Sequence, residues 1–271
     1  MYLKDKNGFT LAETLITLVI IGVVAALTIP TLVAEYKKRV LVEQLKVAVS
    51  IFDNGFKQAM SDDGVADLRD TKLFRACDVE STSGFQWNNN CVPYLKRYFN
   101  MAKIETVSQM TALGDNTNII TNKDTCKNLV GVTNKWYYLN DKNKCRGWKN
   151  LAFTLANGIR ADLYLSDKDY FAGYLTALDV NGSKPPNTWG RDTFYMVILT
   201  DGRLTPYYGY EWLARYMDYY NEQHGTNFTI ENNYMTAFTH WRNSDLCSTT
   251  TTAEGVDCAA RVIESGWKMD Y

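Results

Sequence analysis

The sequence predicts an α+β chain in which one long N-terminal helix packs on an antiparallel β-sheet, with disulfide-bounded loops around them. Three observations carry that reading. An uncharged apolar run from Thr14 to Val33 leads into Leu41, Leu45, Ala48, Phe52, Phe56 and Ala59, which recur at helical spacing. Two turn signals, Asn157-Gly158 and Asp201-Gly202, each lie between runs of β-forming residues. Six cysteines occur without any Cys-x-x-Cys pair.

The N-terminal run is the organising element. At a helical rise of ~1.5 Å per residue, Thr14 to Val33 reaches ~30 Å, the thickness of a bilayer's hydrocarbon core. Before it come Lys4 and Lys6, the small Gly8, and then Phe9-Thr10-Leu11-Ala12-Glu13. A carboxylate at the head of an apolar span is costly in lipid and calls for a partner. An ordinary secretory signal, cut near Val23-Val24-Ala25, would leave Glu13 without a purpose and would have an unusually long apolar core.

Gly8-Phe9-Thr10-Leu11-Ala12-Glu13, followed by this run, resembles the processing motif of type IV pilins and type II secretion pseudopilins. The resemblance covers roughly the first sixty residues. It implies cleavage by a prepilin peptidase after Gly8 and N-methylation of the new terminal residue, Phe9. It also implies that Glu13 pairs with the N-terminal amine of a neighbouring subunit, and that Pro30 interrupts the membrane helix. The flanking charges do not settle orientation, because Lys37-Lys38-Arg39 outweighs Lys4 and Lys6. The resemblance is what places the bulk of the chain outside the cytoplasm.

Beyond the span, Glu35 to Met60 continues as an amphipathic helix, with Glu35, Lys37, Lys38, Arg39, Glu43, Lys46 and Lys57 on its polar faces. Pro30 is expected to kink or locally melt the helix, and Ser61-Asp62-Asp63-Gly64 to end it. From Val65 to Asn134 the pattern is irregular, with loops at Asn88-Asn89-Asn90 and Gly114-Asp115-Asn116 and a short helix within Val92 to Ile104. Strands are expected at Trp136–Leu139, Leu151–Leu155, Arg160–Leu165, Tyr174–Val180, Phe194–Leu199 and Arg203–Pro206. Short aromatic-rich helices follow at Glu211–Asn221 and Asn233–Trp241, and a last one at Ala259–Ser265.

Composition narrows the functional classes. The net charge is −1, so no global field recruits nucleic acid. The basic cluster Lys37-Lys38-Arg39 reads as a membrane-flanking solvated face, and Arg146-Gly147-Trp148-Lys149 is a single mixed patch. With two histidines, His224 and His240, and neither a nucleophile elbow nor a phosphate-cradling loop, no catalytic constellation can be assigned, and the chain reads as a non-enzyme. An even cysteine count in an exported domain favours disulfides over zinc. The shortest loops pair Cys77 with Cys91, Cys126 with Cys145 and Cys247 with Cys258. The stretch from Asp179 to Asp192 is crowded with carboxylate and amide oxygens. By loose similarity to a calcium loop of some pseudopilins, Asp179, Asn181 and Asp192 are candidate calcium ligands, although no cofactor is required. Asx turns, Asn-Gly and Pro-Pro would stiffen the same loop without a metal.

The expected organisation is a leader at 1–8, a membrane and filament-core helix at 9–34 and its amphipathic continuation at 35–60. A head at 61–271 follows, divided into a cysteine-rich lobe (61–134), a β-meander (135–207) and an aromatic C-terminal region (208–271). The expected function is that of a structural pilin or pseudopilin subunit, held in the inner membrane and then polymerised. Its partners would be other subunits, the prepilin peptidase, the inner-membrane assembly platform and lipid. The alternatives are a minor pilin of DNA uptake and a membrane-anchored adhesion protein that never polymerises.

Overall fold

Helix α1 runs without interruption from Leu11 to Asp63 in the computed structural model, which describes residues 10–78, 91–104, 119–121, 123–130, 136–146, 151–168, 171–229, 247 and 254–271. Gly8, Phe9, the loops at 88–90 and 114–116, Trp148, His240 and the helix expected at 233–241 lie outside the described residues. Pro30 sits inside α1 and the helix continues on both sides of it, so the expected local melting does not occur. Threonines on either side of the proline donate back to helix carbonyls, Thr28 Oγ1 to Val24 O (2.9 Å) and Thr31 Oγ1 to Thr28 O (2.8 Å), as helices in apolar surroundings commonly do. The chain divides into two compact units, Met1–Val40 and Leu41–Tyr271.

In the first unit the large apolar side chains from Leu11 to Val33 are 43–79 % exposed among the described residues. In the second unit α1 buries Val42, Leu45, Ala48, Phe52, Phe56 and Ala59. The helix stops where the sequence turns polar. Gly64 takes φ +66°, which lets its N–H reach Ser61 O (3.2 Å) and the next N–H, of Val65, reach Met60 O (3.1 Å).

Helix α2 (Lys72–Cys77) and helix α3 (Cys91–Tyr98) follow. The single short helix expected within Val92–Ile104 ends at Tyr98, and Met101–Ile104 forms strand β1 instead. The buried Phe99 explains the change. Its ring packs against Phe52 and Phe153, and the chain then pairs with a strand rather than continuing to turn.

The main sheet is antiparallel throughout. It orders β1, β5 (Leu151–Leu155), β6 (Arg160–Lys168), β7 (Phe171–Asp179), β8 (Thr193–Ile198) and β9 (Leu204–Pro206) side by side. Residues alternate across it, as a period of two requires. Phe153, Leu155, Ala161, Leu163, Leu165, Phe194, Met196 and Ile198 join the α1 residues in one core, while Tyr164, Tyr174 and Tyr195 are half-buried. Both hairpins form where the sequence marked them. Only the glycines adopt left-handed backbone, Gly158 at φ +90° and Gly202 at φ +77°, so these are not turns with positive φ at both central residues. In each, the Asx side chain accepts from the N–H two residues on: Asn157 from Ile159 (3.2 Å) and Asp201 from Arg203 (3.1 Å).

A second, three-stranded sheet was not expected. It orders β2 (Ile119–Ile120), β4 (Cys145–Arg146) and β3 (Trp136–Tyr137), with helix α4 (Lys123–Leu129) between β2 and β3 in the chain. Helix α5 (Tyr210–His224) places Trp212 and Leu213 in a smaller core with Phe171, Val197 and Leu199, and helix α6 (Cys258–Glu264) adds Ala259 and Val262 to the main one. Disulfides join Cys77 to Cys91, Cys126 to Cys145 and Cys247 to Cys258. Each joins one cysteine to the next along the chain, at separations of 14, 19 and 11 residues. The described chain is thus α+β, with a long N-terminal helix, an antiparallel sheet and disulfide-closed segments.

Candidate assembly site

The start of α1 carries the geometry that bears on function. Thr10 precedes the helix, and its Oγ1 accepts from the backbone N–H of Glu13 (3.3 Å). Glu13 reaches back, and its Oε2 accepts from the Thr10 backbone N–H (2.8 Å) and from Thr10 Oγ1 (3.0 Å). This reciprocal arrangement satisfies donors that a helix start leaves open. Spacing alone made it legible, because Thr-x-x-Glu ahead of an apolar run is a capping signature. Thr10 is therefore a functional partner of Glu13 that the pilin resemblance alone does not single out.

From Leu11 to Val33 the helix presents apolar side chains on every face and, apart from Glu13, no charge. It is long and apolar enough over this stretch to cross a membrane. A helix that is hydrophobic all round needs an apolar environment, either lipid or other helices. Farther along, Glu35 pairs with Lys38 (3.2 Å) and Glu43 with Lys46 (2.7 Å), pairs one turn apart whose carboxylates are exposed and whose lysines are half-buried, and which contribute little each. Part of the Lys37-Lys38-Arg39 cluster is therefore already paired.

The candidate calcium ligands fall at the β7–β8 connection. Asp179 and Asp192 are buried, whereas Asn181 is half-buried. Asp179 Oδ2 accepts from the Trp136 indole (2.7 Å) and its Oδ1 from the Asn181 backbone N–H (3.2 Å). Asp192 accepts from the backbone N–H groups of Thr188 and Asn187, both at 2.7 Å. Burial first, and then the neighbouring Asp192, pushes the Asp179 carboxyl well above the usual carboxylate range, while burial pushes Asp192 up to about 6. No local pattern links Trp136 to Asp179, from which it lies 43 positions away.

The remaining candidates have plain surroundings. His224 is exposed at the end of α5 beside the Tyr220 ring. Among the described residues no three His, Cys, Asp or Glu side chains come together in a way that could hold a metal ion.

Comparison with known proteins agrees with the N-terminal geometry. Residues 3–29 match the family model described as the prokaryotic N-terminal methylation motif, the signature of type IV pilins and pseudopilins. No curated protein and no solved structure matches the chain. The chain therefore carries a pilin-type N-terminal signature, which points to a structural protein that associates with other subunits, is processed by a prepilin peptidase and is anchored in a membrane.

Proposed function

We propose that this chain is a structural subunit of a type IV pilus or a type II secretion pseudopilus. It is inserted in the inner membrane with its head outside the cytoplasm, cleaved after Gly8, N-methylated at Phe9 and polymerised through α1. The observation that carries this reading is the division of labour along α1. Its first part offers an all-apolar surface headed by Glu13, and its second part is the spine of the head.

That surface has two apolar environments available in turn. In the membrane it faces lipid, and in a filament it faces the same segment of neighbouring subunits. Glu13 remains useful in both. In the single subunit its carboxylate accepts from the Thr10 backbone N–H and hydroxyl at the head of its own helix. In the filament it neutralises the methylated amine of a neighbour, where an unpaired charge would cost several kcal/mol. No covalent chemistry by the chain itself is required.

The test is the mature N-terminus, read by mass spectrometry on membrane and sheared-filament fractions of the cells that make the protein. A chain beginning at N-methylated Phe9 and recovered in filaments supports the proposal. A start near Ala26 or Leu27 overturns it in favour of an exported soluble domain. A correctly processed chain found only in membranes would favour the anchored, non-polymerising alternative. Failure of secretion, motility or DNA uptake in a deletion strain would identify the system it serves.

A further inference from the structure

The β7–β8 connection bears on how the head is held together, independently of whether the chain polymerises. It leaves the sheet at Asp179 and re-enters it at Thr193. Between them the backbone docks on the three-stranded sheet. The Tyr137 N–H donates to Asn187 O and the Trp189 N–H to Tyr137 O, both at 2.9 Å. Val180 N–H donates to Asp192 O (2.8 Å), closing the neck of the loop. The two carboxylates then fasten what the backbone leaves open, with Asp192 holding the N–H groups of Asn187 and Thr188 and Asp179 holding the Trp136 indole on β3.

Calcium would do the same job in a different way, and the donor set does not fit it. The ion takes ~6–8 oxygen ligands. Here all four carboxylate oxygens of Asp179 and Asp192 face N–H groups, whose positive ends stand where a cation would supply charge. Of the three candidate ligands, only Asn181 keeps a side-chain oxygen that accepts nothing. Arg160, buried and in register with Asp179 across β6 and β7, supplies further positive charge.

We propose that the Asp179–Asp192 loop is a metal-independent clasp. Its carboxylates close the loop by accepting protein N–H donors, and Trp136 fastens the three-stranded sheet to the six-stranded one through Asp179. The clasp gives a buried indole and two buried acids one shared purpose. Trp136 also packs edge to face on Trp189 (5.5 Å), which belongs to the loop itself.

The experiment is limited trypsinolysis of the full chain in detergent micelles, following cleavage after Arg191, which is exposed within the loop. The protein is stripped with EDTA and assayed with and without millimolar calcium chloride, at or above the ~10⁻⁴–10⁻³ M affinities of extracellular calcium modules. The clasp predicts slow cleavage at the same rate in both. It also predicts that Trp136→Phe speeds cleavage roughly tenfold, from the loss of one hydrogen bond to a carboxylate, with no rescue by calcium. A stripped wild-type chain that is cut rapidly and protected again by calcium would overturn the proposal, as would a Trp136→Phe chain cut at the wild-type rate. The wild-type arm needs no variant to fold. Neither arm depends on N-terminal processing, so its failure and that of the filament reading can be told apart.

Discussion

Replacing Gly55 by alanine tests whether α1 is the fitted spine of the head. Gly55 lies on the buried side of the helix, and the ring of Phe99 rests against its backbone. A methyl group there would stand 2.7 Å from Phe99 Cζ and 3.0 Å from Cδ1, and closer still to Cε1. The ring has little room to retreat. Phe99 is 1 % exposed, and the rings of Phe52, Phe56 and Phe153 surround it at centroid distances of 5.1, 5.4 and 6.3 Å. Overpacking of this kind costs ~1–3 kcal/mol, and the tightness of the box puts Gly55 at the upper end. Alanine returns ~1 kcal/mol of helix propensity. The net loss is ~2 kcal/mol, or a Tm lower by roughly 4–8 °C for a domain of this size. Thermal unfolding of the full chain in micelles, followed by circular dichroism, measures it. Gly22→Ala, where no atom lies within 4 Å of the added methyl, is the control on the same helix. If the ring is the cause, Phe99→Leu should relieve the penalty, leaving a coupling of ~1 kcal/mol or more in a double-mutant cycle. An unchanged or raised Tm for Gly55→Ala would refute the close helix–ring contact.

Two further outcomes follow from the ionisable groups. Glu13→Ala is expected to insert and be processed but to assemble poorly, because a neighbour's amine would then lie unpaired in apolar surroundings; normal filament yield from that variant would remove Glu13 from assembly. The head is also expected to be more stable near ~pH 5 than near ~pH 8. Burial holds Asp192 at about 6 and Asp179 well above the ordinary value, with Asp192, Trp136, Asn181 and Arg160 facing Asp179. The fold therefore binds these protons more tightly than the unfolded chain does. Their contribution is fully present below ~pH 4 and declines as pH rises through 6 for Asp192 and beyond it for Asp179. Asp63, held low by the Lys72 backbone N–H, works in the opposite sense but only in acid below its ordinary range. A Tm that rises steadily from ~pH 5 to ~pH 8 would contradict this account.

How much of this could be read from the chain depended on whether the signal was local. The stripe from Leu41 to Ala59 identifies the face of α1 that is buried, because helical periodicity is a property of neighbours. Asn157-Gly158 and Asp201-Gly202 locate both hairpins for the same reason, although the positive φ falls on the glycine alone. Thr10 and Glu13 are three residues apart, so their reciprocal bonds follow from the capping-box spacing alone. The three-stranded sheet gave no comparable signal. Its strands are two residues each, too short for alternation to show, and they are assembled from 119–120, 136–137 and 145–146. The short helix expected within Val92–Ile104 forms, and it stops at Tyr98 because the pairing of β1 with β5 takes over the chain that follows. Trp136 and Asp179 meet only because two sheets do.

The tyrosines show why the fold needs a second layer. One face of the main sheet is closed by α1 with Phe, Leu and Met, and the other cannot be closed in the same way because the described chain has no second long apolar helix. It is covered instead by α5 and by rings that are apolar on their faces and polar at their tips. Tyr174 contacts Tyr195 (5.5 Å) and Tyr207 (6.1 Å), Tyr195 stacks on Tyr207 (4.4 Å), and Tyr207 meets Trp212 (5.0 Å), which stacks on Tyr216 (5.5 Å). Most of these rings are half-buried, which suits a side chain that gains from burial while keeping a hydroxyl within reach of water. Burial pushes the Tyr207 phenol far above its ordinary range, so this ring at the middle of the seam stays neutral. Tyr174, Tyr195, Tyr207 and Tyr216 are thus a consequence of a sheet with one dry face and one partly wet one. The wet face is the side on which the head can be varied without disturbing α1.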